Sequence, residues 1–142
     1  MFLPHNKSLL NLVLLVACTQ FVFANPPGWE DDPFGYEFTA TMTAAAIYDD
    51  GSYLGDAGDI LAAFDSGGNV RGISTMLDGL GPMDGVTLHS LTIRSNNAGD
   101  AISFQYYDSS ENEILQSAAS YTFVINDQVG NLLIPHEINV GT

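Results

Sequence analysis

Residues 36–48, YEFTATMTAAAIY, decide the fold of this chain. Aromatic, apolar or small side chains occupy every second position, and Glu37 and three threonines lie between them. Successive side chains of a β-strand point to opposite faces of the sheet, so a repeat of two residues predicts a long, half-buried strand. The side chains on the buried face are Tyr36, Phe38, Ala40, Met42, Ala44, Ala46 and Tyr48.

Short apolar segments separated by turn residues continue from this stretch to the end of the chain. Residues 60–64 (ILAAF) form a continuous apolar run, which is typical of a strand covered on both faces. The sequence SGGN at residues 66–69 favours a hairpin turn, because glycine and asparagine tolerate positive φ, and residues 70–77 would form the second strand. Further strands are predicted at residues 86–95, 101–107, 114–117, 121–125 and 132–140.

These segments predict the fold class. After residue 24, no stretch of the sequence carries the apolar stripe of an amphipathic helix. About eight short strands with turns between them indicate an all-β protein. We therefore expect a single antiparallel β-sandwich of immunoglobulin-like or jelly-roll type over residues 36–142. A chain of 142 residues has room for one such domain.

Residues 1–24 have the layout of a secretory signal peptide. Lys7 precedes the apolar run LLNLVLLVA at residues 9–17, and small residues lie near Ala24. The run has about half of the ~20 residues that a membrane-spanning helix needs. Cleavage after Ala24 would leave residues 25–35, with three prolines, as an extended leader. Alternatively, Cys18 would be lipidated and would anchor a lipoprotein. Both alternatives predict a secreted or cell-surface protein.

The chain after residue 24 is strongly acidic. It holds all 17 acidic residues and only two cations, Arg71 and Arg94, which gives a formal charge of −15. Nucleic-acid binding relies on Lys and Arg displacing phosphate counterions, so we expect no nucleic-acid partner. Cys18 is the only cysteine, so a chain cleaved after Ala24 has neither a disulfide framework nor a thiolate metal site.

An acidic, glycine-rich loop precedes the ILAAF segment and is a candidate Ca²⁺ site. Asp56 and Asp59 are the first candidate ligands, with help from Asp49, Asp50 or Asp65. Ca²⁺ takes several oxygen ligands from carboxylates and backbone carbonyls, and glycines let a loop fold back around an ion. The spacing is not that of an EF-hand. The alternative is a solvated loop in which the aspartates cap their own turns.

Arg71 lies opposite ILAAF in the expected hairpin. In so acidic a chain, we expect a cation on a strand to pair with a carboxylate. We expect Arg71 to form a structural ion pair with Asp65 or with an acid of the loop. The alternative is an ordinary surface pair, which contributes ~0–1 kcal/mol.

The sequence carries no recognised catalytic motif. It has no G-x-S-x-G elbow, and His89 and His136 lie in no metal-binding spacing. Both histidines are interpreted as packed or surface imidazoles. Glycoside hydrolysis needs two carboxyls at a set separation across a cleft, and acid pairs such as Glu111 and Glu113 could in principle supply them, but such a pair carries little information in so acidic a chain. We therefore expect a non-catalytic protein and keep a small glycan-acting hydrolase as an alternative.

Aromatic residues indicate a second kind of binding site. Flat aromatic rings stack on sugars, and neighbouring Asp and Asn side chains accept hydrogen bonds from hydroxyl groups. Tyr53 and Tyr107 are expected to be exposed. Trp29 either anchors the leader on the domain or contacts a partner. These three residues are the candidate ligand-binding residues of a carbohydrate-binding module.

Several motifs together resemble a known kind of module. They are Trp29, YEFTATMTA from residue 36, GDILAAF at residues 58–64, Arg71-Gly72, ISFQYYD at residues 102–108, Phe123 and Val129-Gly130. In this order they resemble an accessory β-sandwich module of large secreted or surface-attached bacterial proteins, found beside adhesion and carbohydrate-acting domains. The resemblance implies a β-sandwich and an extracellular location. It implies no defined ligand and no catalytic residue.

Together these observations predict an exported, acidic binding or adhesion module of the cell surface or extracellular matrix, stabilised by Ca²⁺. Its expected partner is a surface or matrix protein or a glycan. A carbohydrate-binding module, a small hydrolase and an acidic component of a mineral or cell-wall matrix are the alternatives.

Overall fold

A computed structural model describes residues 25–141. The expected signal peptide and Cys18 lie outside the described residues. Within residues 25–141, no helix has the length and apolar character needed to cross a membrane.

The described chain is all-β and contains ten strands and one short 3₁₀ helix (Gly81–Met83). The strands are β1 (Phe38–Ile47), β2 (Tyr53–Leu54), β3 (Ile60–Phe64), β4 (Val70–Ile73), β5 (Thr75–Asp78), β6 (Thr87–Ser95), β7 (Ala101–Asp108), β8 (Glu113–Thr122), β9 (Gln128–Val129) and β10 (His136–Asn139). The all-β prediction is confirmed. The predicted number of strands, about eight, was too low because the two-residue strands β2 and β9 are too short to show a repeat of two residues.

The strands form two sheets. Sheet A has the order β10-β1-β6-β5, and β2 and β9 also pair with β1. Sheet B has the order β4-β3-β7-β8. The β1–β9 and β1–β10 pairs are parallel, and every other ladder within residues 25–141 is antiparallel. The parallel pairs were not expected. After β8 the chain passes from sheet B to sheet A, and β9 and β10 pair with β1 there without being joined to it by a hairpin.

One hydrophobic core lies between the two sheets. The alternation in β1 places its predicted apolar face inward, and the outer face carries Thr39, Thr41 and Thr43. Strand β7 contributes the largest side chains from sheet B, Phe104 and Tyr106, which are almost completely buried. The buried residues of this core are Ala40, Met42, Ala44, Ala46, Leu61, Ala63, Leu91, Ile93, Ile102, Phe104, Tyr106, Phe123, Ile138 and Val140.

The segment predicted as one strand at residues 70–77 changes sheets at Ser74. Before Ser74 it is β4, which pairs with β3, and after Ser74 it is β5, which pairs with β6. Ser74 Oγ accepts a hydrogen bond from the Leu61 amide at 3.1 Å, which holds the corner. A Cβ at Gly72 would lie 2.5 Å from the Thr92 carbonyl oxygen, so glycine permits β4 to approach β6.

Other predicted boundaries also shift. Residues 114–117 and 121–125, expected as two strands, belong mainly to the single strand β8, whose ladder with β7 is irregular between Ser103 and Gln105. Residues 132–140 were expected to be one strand, but only His136–Asn139 are extended, because Asn131 Oδ1 accepts hydrogen bonds from the Leu133 and Ile134 amides and closes a turn.

The leader crosses the outer face of sheet B. The Asn25 amide donates to Asn112 Oδ1 at 2.9 Å, and the Trp29 ring packs edge-on against Phe64 with a centroid distance of 5.3 Å. Further along, the Asp31 carboxylate forms a salt bridge with Arg94 at 3.1 Å. The leader therefore covers part of the sheet, and Trp29 is its anchor, as one of the two interpretations of the sequence proposed.

Candidate functional site

Three aspartates meet where β3 begins and β7 ends. In the ladder between these strands, Ile60 pairs with Tyr107, which brings Asp59 next to Asp108. Asp56 lies in the turn before β3. One carboxylate oxygen from each of Asp56, Asp59 and Asp108 lies within 4.8 Å of the other two. We refer to these residues as the acidic triad.

Asp59 is buried and accepts four hydrogen bonds. Its Oδ1 accepts from the Ser109 amide and hydroxyl, both at 2.8 Å. Its Oδ2 accepts from the Tyr106 hydroxyl at 2.6 Å and from the Asp56 amide at 2.9 Å. Burial of the Tyr106 hydroxyl, together with this bond to a carboxylate, raises the pKa of Tyr106 above its ordinary value. Asp59 therefore joins the loop before β3 to the turn after β7.

Asp108 is also buried and also accepts four hydrogen bonds. Oδ1 accepts from the Ser110 amide and hydroxyl and from the Glu111 amide, and Oδ2 accepts from the Tyr48 hydroxyl at 3.1 Å. Burial acts to raise the pKa of Asp108, but these hydrogen bonds outweigh it and hold the pKa below the ordinary value. Burial and the neighbouring carboxylate raise the pKa of Tyr48 to about 12.

The acidic triad fits a cation in part. A carboxylate oxygen offers about two lone pairs, so both oxygens of Asp59 are fully used by protein donors. Asp108 Oδ2 has one protein donor, and no hydrogen bond to the Asp56 carboxylate is found among the described residues. An ion at this position would therefore be held mainly by Asp56 and Asp108 Oδ2.

The other three predicted metal ligands do not belong to the triad. Asp50 accepts a hydrogen bond from the Ser52 amide at 2.9 Å and caps its own turn, and Asp49 is exposed in the same turn. Asp65 lies at the opposite end of β3 from Asp59. The structure therefore retains Asp56 and Asp59 from the predicted set, excludes Asp49, Asp50 and Asp65 from the triad, and adds Asp108.

Asp65 forms the expected ion pair with Arg71. Arg71 Nε and Nη2 lie 3.0 and 2.9 Å from Asp65 Oδ2, and Nη1 donates to the Arg94 carbonyl at 3.2 Å. The guanidinium carbon lies 4.1 Å from the centroid of the Tyr36 ring. Burial acts to raise the pKa of Asp65, but hydrogen bonds from Asn69 and Arg71 outweigh it and lower the pKa. The predicted Arg71–Asp65 pair is confirmed.

The aromatic candidates differ in exposure. Tyr53, in β2, is 45% exposed, and its hydroxyl lies 3.5 Å from Glu137 Oε1. It borders an open hollow of about 300 Å³ that Asp56 and Thr87 also line. Tyr107 is only 2% exposed, so the expectation that its ring is exposed is wrong. Its hydroxyl donates to Asn112 Oδ1, the atom that also accepts from the leader.

His89 lies on β6 of sheet A and is completely buried. Its Nδ1 lies 3.1 Å from Ser74 Oγ, its ring packs edge-on against Tyr106, and Nε2 has no hydrogen-bond partner within residues 25–141. Burial lowers the pKa of His89 to about 4, so the ring is neutral at pH 7. The interpretation of His89 as a packed imidazole agrees with this position.

The sequence matches no protein-family model, no curated protein and no solved structure.

Proposed function

We propose that this chain is an exported, acidic, non-catalytic binding or adhesion module of the cell surface or extracellular matrix, of the accessory β-sandwich type that its sequence resembles. The layout of residues 1–24 and the formal charge of −15 after residue 24 support export and an acidic binding role, and one structural observation supports the non-catalytic part. The two buried carboxylates, Asp59 and Asp108, each accept four hydrogen bonds and join loops together. Side chains used in this way support a rigid scaffold and are poorly suited to general acid–base chemistry.

Export and binding are tested together by expressing the full chain and separating medium, envelope and cytoplasm. We expect a protein in the medium or on the envelope with the intact mass of residues 25–142, or of a lipidated chain beginning at Cys18. Purified mature protein should bind envelope or matrix fractions. A cytoplasmic protein that retains residues 1–24, or a mature protein that binds neither fraction, would refute the proposal.

Ca²⁺ at the acidic triad is the second part of the proposal. Three carboxylates close together repel one another, and a divalent cation between them would offset the repulsion. We expect the melting temperature to rise with millimolar CaCl₂ and to fall with chelator. Asp56→Asn should abolish this response, since Asp56 supplies the least engaged carboxylate. Asp50→Asn is the matched control and should keep it. A wild-type melting temperature that is independent of calcium would refute the proposal that Ca²⁺ binds at the acidic triad.

A carbohydrate-binding module is the second candidate. The hollow beside Tyr53 supports it, because an exposed ring, the Asp56 carboxylate and the Thr87 hydroxyl border one depression. Glycan-array binding that Tyr53→Ala abolishes would favour this candidate, whereas binding that survives Tyr53→Ala would place the glycan elsewhere. The hydrolase alternative requires two free carboxyls across a cleft. In the described residues the closest buried pair, Asp59 and Asp108, is engaged in hydrogen bonds.

A further inference from the structure

One part of the outer face of sheet A exposes a group of large aliphatic side chains. They come from β5 and from two loops, residues 79–86 and 130–135, that fold over Ala45 and Leu88 and form a small second core with Met83. Their exposed fractions run from 39% to 74%. These side chains, called the aliphatic patch below, are Leu77, Leu80, Leu133 and Ile134. Large aliphatic side chains grouped on a surface mark interaction sites.

Backbone contacts join the segments that carry the aliphatic patch. Leu77 pairs with Leu88 in the β5–β6 ladder and so lies on the same face as the second core. The Leu80 amide donates to the Leu132 carbonyl at 3.3 Å, which joins the two loops. The Asn131 side chain accepts hydrogen bonds from the Leu133 and Ile134 amides, both at 2.9 Å. The patch is therefore ordered before binding, which lowers the entropy cost of association.

The charges around the aliphatic patch are negative. Asp78 and Asp84 are exposed in the segments that carry Leu77 and Leu80, and Glu137 is exposed beside Ala45 in the β1–β10 ladder. The only cations after residue 24, Arg71 and Arg94, form salt bridges with Asp65 and Asp31. A second copy would place its own acidic rim against this one. Charge complementarity instead requires a partner that carries cations.

We propose that the aliphatic patch is the docking surface for an extended segment of another protein that carries aliphatic side chains flanked by Lys or Arg. The aliphatic groups cover Leu80, Leu133 and Ile134, and the flanking cations pair with Asp78, Asp84 and Glu137. This proposal rests on the binding role proposed above and names its surface and the chemical class of its partner.

The probe is a capped twelve-residue peptide of alternating leucine and lysine, titrated into ¹⁵N-labelled mature protein in 150 mM NaCl. We expect amide shift changes concentrated at residues 77–84 and 131–137. Ile134→Ser should weaken binding about tenfold or more, because it removes most of one aliphatic contact. Val124→Ser, which changes a residue that is 51% exposed outside the patch, is the matched control and should leave binding unchanged.

Four outcomes would overturn the assignment. The first is equal binding by a serine–lysine peptide, which would show that charge alone, without the aliphatic side chains, accounts for peptide binding. The second is a set of shift changes spread over the whole acidic surface, or none. The third is the same shift changes on raising the protein concentration without peptide, which would make a second copy the occupant. Envelope binding that persists in Ile134→Ser would refute the patch while leaving the proposed binding role intact.

Discussion

Removal of the Arg71 side chain should destabilise the domain more than removal of Arg94, the other cation after residue 24. The Arg71 guanidinium group makes two contacts with the Asp65 carboxylate, donates to the Arg94 carbonyl and stacks on the Tyr36 ring. The side chains of Arg71 and Asp65 are only 12% and 13% exposed. In Arg71→Ala, the Asp65 carboxylate therefore stays largely buried without its cation.

The magnitude follows from these contacts. Breaking a fully buried ion pair by removing one partner costs about 3–5 kcal/mol, an exposed pair contributes about 1 kcal/mol or less, and both side chains here keep slight exposure. Asp65 keeps hydrogen bonds from the Gly67 and Asn69 amides and from the Asn69 side chain, which places the expected loss near the lower end, about 3 kcal/mol. For a domain of this size, such a loss lowers the melting temperature by roughly 12 °C.

Arg94→Ala is the matched control. Arg94 also pairs with an aspartate, but the Asp31 side chain is 30% exposed and belongs to the leader. A pair of this kind contributes about 1 kcal/mol or less.

Urea unfolding at pH 7 measures both losses, with far-ultraviolet circular dichroism for the sheets and fluorescence of Trp29, the only tryptophan, for the leader. Equal losses in the two variants, or a loss below about 1 kcal/mol in Arg71→Ala, would refute the interpretation of Arg71 as a buried structural cation.

Three further predictions concern pH, the leader and the contact between the sheets. Burial lowers the pKa of His89 from 6.5 to about 4. As the pH falls, the histidine of the unfolded chain is therefore protonated before that of the folded chain. The contribution of His89 to the free energy of unfolding, present above pH 6.5, should fall by about 3 kcal/mol as the pH drops to 4. His89→Leu should flatten this part of a stability–pH curve, and an unchanged slope would contradict the assignment. Trp29→Ala should release the leader, shown by faster proteinase K cleavage within residues 25–35 in mass spectra; wild-type cleavage rates would argue against an anchor. Gly72→Ala should cost about 1–3 kcal/mol in urea unfolding, because the new Cβ meets the Thr92 carbonyl oxygen; a neutral effect would mean that β4 and β6 can separate freely.

Much of the fold could be predicted because it depends on local patterns. The alternation in residues 36–48 identified β1 and its buried face, and ILAAF coincided with β3. The turn at residues 66–69 placed Arg71 near Asp65, since a tight hairpin brings residues on either side of it together. The break at Ser74 was missed because a strand that changes sheets keeps the same alternation on both sides of the corner.

The candidate site was predicted only in part, for a related reason. Asp59 and Asp56 stood out in the glycine-rich loop, but Asp108 lies 49 positions beyond Asp59, and only the β3–β7 register brings the two together. Tyr107 was expected to be exposed from its phase in β7, yet the leader and Asn112 lie over that face. Both errors concern contacts between distant segments, about which local periodicity carries no information.

The amino-acid sequence by itself determined most of the longer strand-forming segments, the face that β1 buries, the hairpin after β3 and the negative charge, because each of these depends on neighbouring residues or on composition. Only the tertiary structure decided which strands became neighbours, that β9 and β10 run parallel to β1, which aspartates form the triad and which side chains the leader covers. Those outcomes depend on the register and packing of segments far apart in the chain, where the hydrophobic core and the hydrogen bonds of buried groups select one arrangement.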